Sequence, residues 1–248
     1  MLLPIGITQQ AAGGGTPPAY APGMMTFNGT NAYYSKTSVT VSGSSFTFVL
    51  RFNINSFTGD KDVNPFRITA GQIRVWMQAI SSDYTADASF RNKIRILVRN
   101  SAGSAWLVTL LSLTECLDGN DHLLFFSYNG TTGAATFYID GVTADDTGWG
   151  SRILTTGTAP TSSATALVGG LTTSQWVAGD IGYFGYRDVY LTNPTDFYHP
   201  INGLQELDES GWTEWGAQPL FWNQYGTMTA NAGSGGNMTA NGTITGPA

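Results

Sequence analysis

Charge is scarce in this sequence: Asp, Glu, Lys and Arg together make up 11% of its 248 residues, roughly half the share usual in soluble domains. Basic residues are scarcer than acidic ones, 11 against 17, for a net charge of −6. A phosphate-binding face needs clustered Lys and Arg, so no nucleic-acid partner is expected. The densest basic run, Arg91, Lys93, Arg95 and Arg99, falls on the alternating segment KIRILVR and reads best as the solvated face of a strand. Cysteine occurs once, as Cys116, which excludes an internal disulfide and the disulfide-stapled secreted class. Its neighbours Leu113 and Leu117 favour a buried structural thiol. No apolar run approaches the roughly 20 residues of a membrane helix, so no membrane insertion is expected. Leu2, Leu3 and Ile5 open the chain without a basic segment or a long apolar one, so no signal peptide is expected. Long 3.6-residue periodicity is missing too. Only Asn202–Ser210 could make two helical turns, with Asn202 as cap and Gly211 as stop.

What fills the gap is Gly, Thr, Ser and Asn, interleaved with aromatic residues. Apolar residues alternate with period two, as half-buried strands require. Phe46, Phe48, Leu50 and Phe52 share one strand face. Ile73–Ile80, Lys93–Arg99 and Trp106–Leu111 follow as strands, as do Ala166–Val168, Ile181–Leu191 and a short Ala32–Tyr34. Between Asp121 and Asp146 two strands, His122–Tyr128 and Ala134–Asp140, flank a turn opened by Asn129-Gly130 and closed by Gly133. Asp140-Gly141 signals a second turn, because both residue types tolerate positive φ. This spacing predicts an all-β sandwich of sequential antiparallel strands. Residues 1–24 (Gly13-Gly14-Gly15, Pro17-Pro18, Pro22-Gly23) form an extended N-terminal arm. The sandwich occupies 25–225, and 226–248 is a C-terminal tail packed on the sandwich or on a neighbour.

Three segments carry a family resemblance. The first is His122-Leu123-Leu124 with Tyr128-Asn129-Gly130 and Phe137-Tyr138-Ile139-Asp140-Gly141, similar to a hairpin of the concanavalin A-like (laminin G-type) jelly rolls. The second, Ile181–Leu191, resembles their late strand, with Tyr183 at its usual acidic position. The third is Gln218–Gly242. Its Pro219-Leu220-Phe221-Trp222 and Asn231-Ala232-Gly233-Ser234-Gly235-Gly236-Asn237-Met238-Thr239 resemble the C-terminal ends of concanavalin A-like virion proteins of tailed bacteriophages. The resemblance implies a jelly-roll sandwich and, first, a non-enzymatic virion structural protein, a capsid decoration or tail-associated component. The low-charge, shell-like composition without an export signal fits a protein assembled in the host cytoplasm. Its partners would be other virion proteins and copies of itself. Assembly contacts are expected at Pro17, Pro18, Tyr20 and Pro22 of the arm.

The alternative is a glycan-binding module for host-surface attachment. Trp149, Trp176, Trp212, Trp215 and Trp222 lie in or near loop segments, with Tyr183 and Tyr186 close in sequence to one of them. Exposed rings stack on sugars through their apolar faces, while core packing or subunit contact is the plainer role for such rings. Trp149, Trp176, Tyr183 and Tyr186 are the candidate glycan contacts. The third reading, a glycoside hydrolase, needs paired carboxylates on one strand face. Glu206 and Asp208 would share a face but Glu209 would not, and NGLQELDESG is not strand-like. No catalytic residue, cofactor or metal ligand is assigned. Asp140, Asp145 and Asp146 read as turn residues, with a calcium ion beside them left open. His122 and His199 lack zinc-ligand spacing.

Overall fold

The alternating runs pair into two antiparallel sheets. The computed structural model describes residues 24–41, 44–70, 73–158, 162–192, 221–223 and 233–246. The first sheet runs, in spatial order, β10 (Val142–Thr143), β9 (Ala134–Ile139), β8 (His122–Asn129), β3 (Ser45–Asn53), β13 (Ala178–Arg187), β1 (Met25–Asn28) and β16 (Ile244–Thr245), with β14 (Phe221–Asn223) also paired to β13. The second runs β11 (Ile153–Leu154), β7 (Trp106–Leu111), β6 (Ile94–Arg99), β5 (Ile73–Ile80), β4 (Asp62–Ala70), β12 (Ser162–Val168), β2 (Tyr33–Val41) and β15 (Thr239–Asn241). The fold is therefore the expected all-β sandwich, and the helical element among the described residues is a single 3-10 turn, Ala88–Phe90. The arm residues Pro17, Pro18, Tyr20 and Pro22, and the segment from Asn202 to Ser210, lie outside the described residues.

The core lies between the sheets. Phe46, Phe48, Leu50 and Phe52 point inward together and are buried, as their alternation requires. Phe66 of the second sheet reaches Phe48 and Phe184 of the first at ring-centroid separations of 4.9 Å each, within the range of favourable aromatic pairs. Strand β4 is absent from the alternation reading because Pro65 interrupts DVNPFRITA. The ladder absorbs the proline by shifting register between Val63 and Phe66, the irregularity that lets a strand carry Pro. Strand β13 begins earlier than the expected Ile181 and leaves the sheet after Arg187.

The Asp121–Asp146 hairpin forms at the expected place. Asn129 Oδ1 accepts hydrogen bonds from the amides of Thr131 and Thr132 at 3.0 and 3.2 Å. Asp140 (φ 55°) and Gly141 (φ 74°) both take positive φ and join β9 to β10 through the Ile139–Val142 pair. That is the two-residue type I′ geometry Asp-Gly favours.

The two faces of the first sheet are not the core and solvent of a simple alternating strand. Thr47, Val49, Arg51, Leu123, Phe125 and Ser127 point away from the core yet are buried. At Thr47 and Ser127 the chain leaving β13 crosses over them. Thr47 Oγ1 donates to the Val189 carbonyl at 2.6 Å, and the Leu191 amide donates to Ser127 Oγ at 2.9 Å. The C-terminal segment docks on its own sandwich. Strand β15 pairs with β2 of the second sheet and β16 with β1 of the first, and Met238 is buried in the main core.

Candidate functional site

The outer face of the second sheet carries a row of large side chains. Cross-strand register aligns Arg67 with Trp76, Trp76 with Leu97, Leu97 with Thr109, and Thr109 with Ile153. A second row aligns Gln78 with Arg95, and Arg99 pairs with Trp106. Trp76 and Trp106 meet edge to face at 5.2 Å. The Arg99 guanidinium lies 4.3 Å from the Trp106 ring centre and that of Arg67 lies 5.7 Å from Trp76, within cation–π range. Phe90, delivered by the 3-10 turn, stands edge to face with Trp149 at 5.2 Å, and Arg95 lies over Phe90 at 5.2 Å. Together Trp76, Phe90, Arg95, Leu97, Trp106, Thr109, Trp149, Ser151 and Ile153 line a groove of about 300 Å³.

A chain of amides anchors the groove's polar side. Arg95 Nε donates to Gln78 Oε1 at 2.7 Å, and Gln78 Nε2 donates to Asp62 Oδ2 at 2.6 Å. The same carboxylate oxygen accepts from Gln175 at 2.8 Å and Asn64 at 3.3 Å. Burial pushes the Asp62 carboxyl above its ordinary range, against the pull of these donors, and burial pulls the Arg95 guanidinium down. On the groove's floor the Thr109 hydroxyl is buried and has no hydrogen-bond partner, a state proteins seldom leave uncompensated.

Of the residues singled out from sequence, Trp149 lines the groove. Its turn is rigid. The Trp149 amide donates to the Asp146 carbonyl at 3.1 Å, and Arg152 forms a forked pair with Asp145 at 2.6–3.1 Å. Trp176 does not line the groove. It is half-buried, and its indole N–H is enclosed without a partner. Tyr186 is corrected to a core residue: it is 1% exposed and stacks on Phe46 at 6.0 Å. A register shift between Ile181 and Phe184 turns Ile181, Phe184 and Tyr186 all inward. Tyr183 lies on β13, and its side chain is outside the described residues, as are Glu206, Asp208, Glu209, Trp212, Trp215 and His199 and the side chain of Trp222. Trp76, Trp106 and Phe90 were missed as site residues. Arg95 and Arg99, read as a solvated strand face, instead lie against Phe90 and Trp106.

The three turn aspartates part company. Asp145 pairs with Arg152, Asp146 caps its own turn through the Gly148 amide, and Asp140 binds His122. Among the described residues no group of three or more His, Cys, Asp or Glu is arranged to hold a metal ion. His122 is clamped from both sides, Nδ1 at 2.6 Å from Asp140 Oδ2 and Nε2 at 3.0 Å from Asp118 Oδ1. The Asp140 hydrogen bond raises its pKa, and backbone donation from Asn120 above all holds Asp118 down at about 2. Both ring nitrogens are engaged, so the imidazole ties the hairpin to the preceding loop rather than offering a base. Burial pushes the nearby Cys116 thiol up to about 12, which leaves it inert as a nucleophile.

No family model matches the chain, and no curated protein matches it. Solved structures resemble it in fold. A putative carbohydrate binding protein from Bacteroides ovatus aligns with a TM-score of 0.60 at 14% identity, over 91% of this chain and 59% of that one. A native heptameric SAP-like pentraxin from Limulus polyphemus aligns with a TM-score of 0.55 at 12% identity, over 91% and 94%. Domain 4 of a GH43 extracellular arabinanase from Geobacillus stearothermophilus, in complex with arabinotriose, aligns with a TM-score of 0.50 at 15% identity, over 68% and 72%. The sandwich is of the concanavalin A-like type.

Proposed function

We propose that this chain is a non-enzymatic glycan-binding module whose ligand lies in the groove on the outer face of the second sheet. The observation that carries this reading is the bracket formed by Trp76, Trp106 and Trp149 around a cleft that Arg95 also lines, with Arg99 stacked on the Trp106 ring beside it. Indole faces remove the C–H face of a sugar ring from water, and the polar groups at their edges take its hydroxyls. At about 300 Å³ the groove is at the small end of ligand sites, which run roughly 300–1,000 Å³, so it fits a short stretch of glycan. The carbohydrate binding protein and the arabinotriose-bound domain among the similar folds support the same class.

The test is calorimetric titration against neutral and acidic polysaccharides, with Trp106→Ala as the variant. Covering roughly 60 Å² of indole face is worth about 1.5 kcal/mol, so the variant loses about tenfold in affinity. Wild-type protein that binds no polysaccharide overturns the reading. The phage setting belongs to this proposal as its location. The C-terminal motif supports a module carried on a tailed-phage particle and directed at host surface polysaccharide. Antibody labelling of purified particles tests it, and particles lacking the chain reject it.

A further inference from the structure

We infer that the groove selects an anionic glycan, one bearing carboxylate or sulfate groups. The inference rests on the glycan reading and names its ligand class. Its basis is the state of two arginines. Arg95 and Arg99 lie on β6 at positions that share a strand face. Each stacks on an aromatic ring of the groove. Arg95 spends only Nε on a protein acceptor, Gln78, and Arg99 spends Nη1 on the Gly103 carbonyl. Neither makes an ion pair among the described residues, whereas Arg51 pairs with Asp121 and Arg152 with Asp145.

A chain with 17 acidic residues and a net charge of −6 has no shortage of carboxylates to place beside two arginines. The carboxylate that does face Arg95 is Asp62, and it is held by Gln78, Gln175 and Asn64. Both terminal nitrogens of Arg95 are thus left without a protein acceptor among the described residues, which is the fork a carboxylate or sulfate oxygen pair engages. Arg95 is also partly desolvated against Phe90, and a guanidinium in such a place gains more from an anion than one in water. An arginine-and-indole surface could also stack nucleobases. A polynucleotide would then bring a dense phosphate charge to an acidic protein with only three lysines, Lys36, Lys61 and Lys93, which favours the sparser charge of an acidic glycan.

The experiment uses matched pairs: alginate, polygalacturonate and hyaluronan, each before and after chemical reduction of carboxylates to primary alcohols, and dextran sulfate beside dextran. Binding is measured by calorimetry at low and high salt. The expected result is about tenfold tighter binding of the acidic member of a pair, the scale of one charge-assisted hydrogen-bond pair, weakening as salt is raised. Arg95→Gln and Arg99→Gln each cut the acid-to-neutral ratio severalfold, while Lys36→Gln, the same charge change away from the groove, leaves the ratio unaltered. Equal affinity for acidic and neutral members overturns this inference and leaves the glycan reading standing. Failure of every polysaccharide to bind overturns both. Tighter binding of poly(U) than of any glycan also overturns it, in favour of a single-stranded nucleic acid.

Discussion

Replacing Met238 by alanine tests whether the C-terminal segment is part of the sandwich it came from. Met238 is 3% exposed and belongs to the main core. The residues after it pair first with β2 of one sheet and then with β1 of the other, so this side chain is the apolar anchor of a lace across the two layers. Deleting a buried methionine side chain costs about 2–5 kcal/mol. A cavity beside a terminal strand collapses more readily than one at the centre of a sheet, which places the cost near the low end, about 2–3 kcal/mol. For a chain of this length each kcal/mol moves the melting temperature by about 2–4 °C, so Met238→Ala should melt roughly 4–12 °C below wild type. Differential scanning calorimetry at several protein concentrations reads this directly. Anchoring within one subunit makes the loss independent of concentration. A loss under about 2 °C, or one that appears only when subunits associate, refutes the reasoning and moves the tail onto a neighbour.

Other outcomes follow from single sites. Gly169 (φ +88°) packs against the Phe27 ring, and an alanine Cβ would collide with that ring. Gly169→Ala should therefore lose about 2–5 kcal/mol from backbone strain and overpacking, and a loss below about 1 kcal/mol in urea unfolding would mean the ring moves freely. The His122 clamp makes stability depend on pH. The folded imidazole titrates above its ordinary 6.5, raised by its hydrogen bond to the Asp140 carboxylate, so its contribution is complete below about pH 6.5 and fades as pH rises through the folded value. Asp118, held at about 2 instead of 3.8, contributes above its ordinary pKa and loses that contribution as pH falls through about 2. The melting-temperature gap between wild type and His122→Gln should be wider at pH 5 than at pH 9; a gap constant with pH refutes the clamp.

Much of the fold was legible because its longest strands alternate without interruption. The segments Ile73–Ile80 and Trp106–Leu111 were readable to the residue, and the Asp140-Gly141 turn announced its own type. Strand β4 was hidden by Pro65, since a proline inside a strand is tolerated only at an irregularity that sequence does not show. Tyr186 was placed among surface rings because the shift between Ile181 and Phe184 breaks the period that would have assigned it to the core. The groove was the least legible part. Periodicity says that Arg95 and Arg99 share a face, but which rings lie beside them depends on β5, β6 and β7 being neighbours and on Trp149 being folded back over Phe90. Those are long-range facts of topology, and a single sequence carries no term for them.

The two sheets divide the labour, and what covers each decides which can bind. The chain leaving β13 runs over Thr47 and Ser127 and uses their hydroxyls, so the first sheet's outer face has spent polar groups a ligand would need. The second sheet's outer face keeps Ile153 at 36% exposure and leaves Trp106 and Trp149 partly exposed. Its rings are fixed before any ligand arrives: Trp149 by the Asp145–Arg152 fork and Phe90, Trp106 by Trp76 and Arg99. A side chain already held in place loses little entropy on binding, which otherwise costs about 0.5–1.5 kcal/mol for each one immobilised. A small groove with few contacts can reach useful affinity only on those terms. The edge-to-face pairs and the Asp145–Arg152 fork are therefore as much part of the binding apparatus as the faces that touch the sugar.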